Sequence, residues 1–437
     1  MRIFLVPLLL LLPCVTSTAA PLLGNEIFSR VKPLVFQIKT AISESAPKSS
    51  YGTGFVVDKS GLLITNFHVV SEAVLEPEQY KVYLVDGGTS MLAEVLAVNP
   101  VNDVALLRVA RTFADKINIS AEMPAHGSKI FSIGLPEDLN MSIVEGTYNG
   151  VIAEGPYSKI HMSSPINGGM SGGPTVDSKG QLIGVNVSKL VFASNISFAV
   201  PKMYPAGLLK SWAENKDKKA PGAVLLEKSI GQQLNDAGST ILSGIVAQKD
   251  KKRDFKGWKV PVLPPAFKCW SDSSRNNKEQ KFTVTRESCN LQNSVYLGRR
   301  VSGGEFSLDL NDCERKGLND LQFFDLVSNS MTATSKTAGL VSLISREVLS
   351  DLTPARCVTE RVTNSKGLPI TVHACFRQYS RFEGVWEGAF DMATMLKGKR
   401  NLLMSVSISG VSFENLKQLI RHFVDGVEEG KAEYAAN

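Results

Sequence analysis

Between about residues 27 and 205, short apolar runs alternate with turn residues: "LVFQI", "GTGFVVD", "GLLITN", "KVYLVDGG", "AEVLAVNP", "VALLRV", "KIFSIG", "QLIGVNVS" and "ISFAVP". Each run is rich in Val, Ile and Leu and is closed by Gly, Pro, Asn or Asp, the pattern of strands in an all-β barrel or sandwich. Helical periodicity is scarce here, which disfavours a parallel sheet of βαβ units. One short helix is predicted after Pro201, toward "GLLKSW". The polar "ENKDKKAPG", Glu214 to Gly222, then ends in Pro-Gly and marks a boundary.

Beyond that boundary, "FTVTRES", "SVYLGRRV", "GLVSLIS", "ITVHACF" and "LLMSVSISG" read as strands. "VSFENLKQLIRHFVDGV" reads as a closing helix: Phe413, Leu416, Ile420, Phe423 and Val427 recur at three- and four-residue steps behind Ser412, a candidate N-cap. The expected organisation is a leader over 1–20, an all-β domain over 25–213, a linker over 214–222 and an α+β domain of unassigned role over 223–437. No internal repeat or low-complexity tract is evident.

Composition changes this picture little. A chain of 437 residues exceeds what one core usually organises, and 43% hydrophobic with 21% charged residues suggests neither disorder nor a membrane bundle. The net charge of +6 is scattered apart from "KDKKRDFKGWK", Lys249 to Lys259, which reads as a solvated loop or linker, so no nucleic-acid partner is expected. "MRIFLVPLLLLLPCVTSTAA" has one early charge, an apolar stretch and small residues at Ala19 and Ala20, the form of a secretory signal peptide, so the expected location is secreted or periplasmic. No later run approaches the roughly 18 apolar residues of a membrane span. Loss of the leader removes Cys14 and leaves Cys269, Cys289, Cys313, Cys357 and Cys375, an odd set in the second half. Structural disulfides are the default for an exported chain, with at least one sulfur left over. The spacings suit no zinc site, and neither metal nor cofactor is implied.

Candidate chemistry gathers at "INGGMSGGP", where four glycines crowd Ser171. If Ser171 attacks a carbonyl, backbone N–H groups can stabilise the oxyanion only where the chain turns sharply and comes close, which glycine permits. Gly169 and Ser171 would offer those donors, and losing one such donor costs about 3–4 kcal/mol of transition-state stabilisation. A serine needs a base, and His68 has the suggestive frame: "GLLITNFHVV" is a strand that would present the imidazole at its end. Asp103, in "NPVNDVALLRV", leads into an apolar strand and could fix the imidazole tautomer.

Together "SYGTGFVVDKSGLLITNFHVV", "NPVNDVALLRV" and "INGGMSGGP" resemble the chymotrypsin-like serine proteases, most closely the HtrA-type bacterial branch. "GSKIFSIGLPEDLNMSIVEGTYNGVI" and "NISFAVP" extend the resemblance over roughly residues 27 to 205. The resemblance implies a double β-barrel with His68 as general base, Asp103 as orienting acid, Ser171 as nucleophile and Gly169 as oxyanion donor. It places Pro165 at the base of the primary specificity pocket, and the nearby "GVNVS" would line its wall with Val185, Val187 and Asn186, pointing to a small or medium apolar side chain in the substrate.

Two departures limit the resemblance. Met170 stands where the family usually has Asp or Asn, so activation by an ion pair with a freed N-terminus is not expected. The second half matches no PDZ domain, so peptide-tail sensing and cage assembly are not carried over. The expected function is a secreted serine endopeptidase acting on protein or peptide substrates through an acyl-enzyme. The rivals are a catalytically silent protease fold used for binding, and an α/β-hydrolase-type esterase, since "GMSGG" also fits G-x-S-x-G. The esterase would need His373 or His422 as its base.

Overall fold

Twelve strands close into two barrels in this computed structural model, which describes residues 23–137, 139–189, 196–214, 219–273, 281–291, 293–298, 301–337, 351–394 and 399–430. A leading helix α1 (Gly24–Val31) buries Ile27 and Val31. Strands β1 (Val35–Ala41), β2 (Ser50–Asp58), β3 (Leu62–Thr65), β4 (Lys81–Asp86), β5 (Thr89–Asn99) and β6 (Val104–Val109) form the first barrel in the order β1-β2-β3-β6-β5-β4. Strands β7 (Lys129–Gly134), β8 (Ser142–Glu154), β9 (Tyr157–Met162), β10 (Pro174–Asp177), β11 (Leu182–Lys189) and β12 (Ser197–Pro201) form the second, in the order β10-β11-β12-β9-β8-β7. All pairings are antiparallel. Closure leaves no open edge, so short strands suffice.

The segment after β3 differs from the sequence expectation. After β3 the chain enters a helix, α2 (Phe67–Leu75), so His68 lies in a first helical turn. Phe67, Val70, Ser71 and Val74 are buried at three- and four-residue steps, and the Val-rich composition disguises that period as strand.

The predicted helix after Pro201 is α3 (Met203–Glu214), and Trp212 is buried with the Arg108 guanidinium 5.6 Å from its ring. A long helix, α4 (Ala223–Val246), follows and packs against β5 and α2. The remaining strands are β13 (Lys252–Phe255), β14 (Trp258–Pro261), β15 (Phe267–Ser273), β16 (Phe282–Leu291), β17 (Val295–Gly298), β18 (Val301–Gly303), β19 (Phe306–Arg315), β20 (Arg356–Thr363), β21 (Pro369–Gln378), β22 (Trp386–Thr394), β23 (Arg400–Val411) and β24 (Glu428–Glu429). Seven of them make one antiparallel sheet in the order β15-β16-β19-β23-β22-β21-β20, joined by helices α5 (Asp320–Thr337) and α6 (Phe413–Gly426). The α+β expectation holds, and the Ser412 side chain caps α6 by accepting from Asn415 N–H at 3.2 Å. "GLVSLIS" and the leader lie outside the described residues.

The basic run from Lys249 is not a simple loop: Lys252 to Phe255 pairs with Trp258 to Pro261 as a hairpin. Trp258 is buried within the C-terminal half and donates its indole N–H to Asp312 at 3.0 Å, while Trp270 is exposed. Cys269–Cys289 and Cys357–Cys375 are disulfides across neighbouring strands, and Cys313 is a free, buried thiol that burial pushes up to about 11. Cys357, His373 and Cys375 cluster, as do Cys269, Glu287 and Cys289, but all four sulfurs are already bonded to each other in pairs. Among the described residues no helix is long and apolar enough to cross a membrane. One apolar cluster runs from Val98 through Leu234 and Ile241 to Val406, so the two halves share a core.

Candidate active site

The strand–helix junction after β3 and the turn before β6 bring His68 and Asp103 together. Asp103 Oδ2 lies 2.7 Å from His68 Nδ1, and Oδ1 accepts the His68 backbone N–H at 2.9 Å. One carboxylate therefore fixes both the ring and the backbone that carries it. Asn66 Nδ2 donates to Asp103 O at 2.7 Å and holds the turn from the other side. Asp103 has φ 52°, a left-handed conformation that costs a non-glycine residue on the order of 1 kcal/mol and that the two bonds to His68 maintain. The imidazole is partly enclosed, with 30% of its side chain exposed. Burial opposes its protonation, but the Asp103 charge and hydrogen bond outweigh burial, so His68 titrates above its ordinary value of 6.5.

Ser171 sits in the loop between β9 and β10, pressed against β2. Thr53 N–H donates to Ser171 O at 2.7 Å, Thr53 Oγ1 donates to Gly169 O at 2.7 Å, and Leu135 N–H donates to Thr53 Oγ1 at 2.9 Å. The glycines are required by this closeness. A Cβ on Gly172 would lie 2.1 Å from Thr53 O and 3.0 Å from Asn66 N; one on Gly169, whose φ is +88°, would lie 2.4 Å from Leu135 O. The loop thus abuts the residues that lead into His68. The Ser171 hydroxyl donates to Val187 O at 3.3 Å and makes no hydrogen bond to His68 in this conformation.

The backbone N–H groups of the loop divide into two sets. Met170 N–H reaches Asn167 O at 3.1 Å, Gly172 N–H reaches Asn186 O at 2.9 Å, and Gly173 N–H reaches Met170 O at 3.1 Å. Among the described residues, Gly169 N–H and Ser171 N–H have no acceptor. Gly168 O accepts from Glu137 N–H at 3.0 Å, and because the peptide is planar and trans, the Gly169 N–H faces the opposite way. Two such unspent donors beside a serine hydroxyl can bind the oxygen of a tetrahedral adduct. Met170, the departure from the family pattern, is fully buried with Ile130, Tyr148, Ile160, Met162, Ile166, Ile183 and Ala199. An apolar anchor in the second barrel thus holds the loop.

The expected pocket residues sit in different surroundings, and Asn186 is buried with its Nδ2 donating to Ile133 O at 3.0 Å. Pro165 is exposed in the loop after β9. Val185 is wholly enclosed in the barrel core, paired with Val200 across the β11–β12 ladder, and offers no surface to a ligand. Val187, two residues on, lines a cavity of about 400 Å³ beside His68 and Asp103. The esterase alternative loses its frame: the sheets around Ser171 are closed antiparallel barrels, and His373 of β21 lies 2.7 Å from Thr359 Oγ1 of the neighbouring β20. Thr53 and Asn66 adjoin the candidate site, and the sequence signals them only weakly, through "YGTGF" and "ITNFH".

Residues 52–185 match the trypsin-like peptidase domain family. Protease Do-like 1, chloroplastic, of Arabidopsis thaliana is 33% identical over 165 residues, 34% of this chain and 36% of that protein. A probable periplasmic serine endoprotease DegP-like of Brucella suis is 31% identical over 162 residues, 34% of this chain and 30% of that protein. The match therefore spans about a third of the length of these curated relatives. Among solved structures, the serine endoprotease from Yersinia pestis is 24% identical and covers 45% of this chain and 69% of that one, with a TM-score of 0.39.

Proposed function

We propose that this chain, which carries a trypsin-like peptidase domain, is an exported serine endopeptidase that cleaves peptide bonds through Ser171, His68 and Asp103. The observation that carries the reading is the pairing of a doubly held His68–Asp103 unit with a serine loop whose Gly169 and Ser171 N–H groups are unspent.

In this reading Ser171 Oγ leaves Val187 O by rotation about χ1, a change between staggered rotamers, and turns toward His68 Nε2. The hydroxyl attacks the peptide carbonyl while Nε2 takes its proton, and Asp103 stabilises the imidazolium that results. Gly169 and Ser171 N–H groups receive the oxyanion. His68 then gives its proton to the leaving amine, and a water deprotonated by His68 hydrolyses the acyl-enzyme, returning Ser171 and a carboxylic acid. No cofactor takes part. The leader-like first 20 residues support export, and the substrates are proteins or peptides.

The Ser171–Val187 bond is what a silent, binding-only protease fold would retain, so the two readings divide on turnover. Full-length protein and its Ser171→Ala variant, assayed on denatured casein, separate them. Cleavage by the first and a rate at least 10³-fold lower for the second supports the peptidase; equal rates refute it.

A further inference from the structure

The cavity beside His68 is not built by the two barrels alone. Val101, Val187 and Val200 form apolar parts of its wall, and Asn293, Ser294 and Tyr296 of the C-terminal half complete it. Tyr296 lies on β17, where side chains alternate: Val295 and Leu297 are buried and Tyr296 points the other way, 38% exposed. Its ring stands edge-on to the His68 imidazole with centroids 6.3 Å apart.

Strands β17 and β18 pair as a hairpin, and the half that carries it is tied to the barrel half at two points. Tyr157 of the second barrel donates its buried hydroxyl to Gly304 O at 2.7 Å, just past β18. Arg381 Nη1 donates to Leu75 O at 2.6 Å, at the far end of the helix that bears His68, and its guanidinium also faces Glu76, Glu227 and Asp351. A wall so fixed keeps its shape when a ligand arrives. It does not seal the site, because Tyr296 and the His68 side chain, 30% exposed, both remain open to solvent.

We propose that Tyr296 is a specificity-determining residue: the C-terminal half supplies one wall of the substrate cleft, and its tyrosine ring packs against an apolar side chain flanking the scissile bond. The occupant follows from the lining and the place. The cavity borders the imidazole and Val187, whose carbonyl holds the Ser171 hydroxyl, so a peptide positioned for attack must lay a neighbouring side chain there. About 400 Å³ lies at the small end of ligand pockets and fits a side chain rather than a folded partner. This inference rests on the peptidase reading above.

The test runs full-length wild type, Tyr296→Ala and Tyr296→Phe against peptides varied singly at each position flanking the cut bond, with a small fluorophosphonate probe of Ser171 in parallel. Tyr296→Ala is expected to lower kcat/KM about tenfold, through KM, for peptides with Leu or Phe at one flanking position. Peptides with Gly there, and the probe's labelling rate, stay within about twofold, while Tyr296→Phe keeps the wild-type profile. An unchanged preference in Tyr296→Ala overturns the proposal. So does a uniform rise in cleavage and labelling, which makes the hairpin a cover. A wild type that is folded yet neither cleaves nor labels sinks the peptidase reading itself and this inference with it, an outcome distinct from active enzyme with unaltered selectivity.

Discussion

Thr53→Val is a sharp perturbation of the proposed site because it keeps the shape of the side chain and deletes only its hydroxyl. Thr53 is fully buried, donates to Gly169 O at 2.7 Å and accepts from Leu135 N–H at 2.9 Å. In the valine variant both groups lose their partner. An unsatisfied buried group costs about 1–3 kcal/mol, and Leu135 is only half-buried, so the expected loss of stability is about 2–4 kcal/mol. The Gly169 carbonyl then no longer fixes the loop, and the oxyanion donor at Gly169 N–H drifts. Loss of one such donor lowers kcat by about 10²–10³, which bounds the effect from above. We expect kcat on a short chromogenic peptide to fall between tenfold and that limit with KM little changed, and Thr53→Ser to restore it. Urea unfolding monitored by fluorescence reads the stability change. A valine variant that matches wild type in kcat would refute the view that this hydroxyl holds the oxyanion loop.

Further outcomes follow from the same geometry. In the proposed mechanism His68 is a base only when neutral, and its pKa is raised, so kcat/KM is expected to rise with pH through a midpoint above 6.5, measured as a pH–rate profile. The same raised value makes the folded state favour the imidazolium: that small stabilisation is complete below the unfolded value of about 6.5 and is lost as pH climbs through the folded value. Asp103→Asn is expected to lower kcat by about 10⁴ while leaving the fold intact, since the amide imposes the wrong tautomer on His68. Met170→Asp puts a carboxylate into an apolar cluster and is expected to cost several kcal/mol and abolish labelling of Ser171, whereas Met170→Leu keeps both; chemical denaturation and probe labelling read the two.

The barrels are legible in the sequence because closed antiparallel strands leave short, turn-bounded apolar runs, and the frames around His68, Asp103 and Ser171 survive as local patterns. Helices hide where residues serve two constraints. In α4, which is not among the elements predicted from the sequence, Leu226, Ile230, Leu234, Ala237, Ile241 and Ile245 keep a helical period that Gly231 and Gly238 interrupt. A Cβ on Gly238 would lie 2.4 Å from Val411 Cγ1, so that glycine is there for close packing on β23. Val185, expected along a pocket wall, turns into the barrel interior, a direction that its address along the strand does not reveal. Tyr296 carries no local signal at all; its meeting with His68 depends on how the two halves dock.

The decisive measurement is labelling of the intact protein with a fluorophosphonate, followed by peptide mapping. A single adduct on Ser171 is expected that forms near neutral pH, is absent in Ser171→Ala and is greatly slowed in His68→Ala. A natively folded protein that stays unmodified, or one modified at another residue, contradicts it.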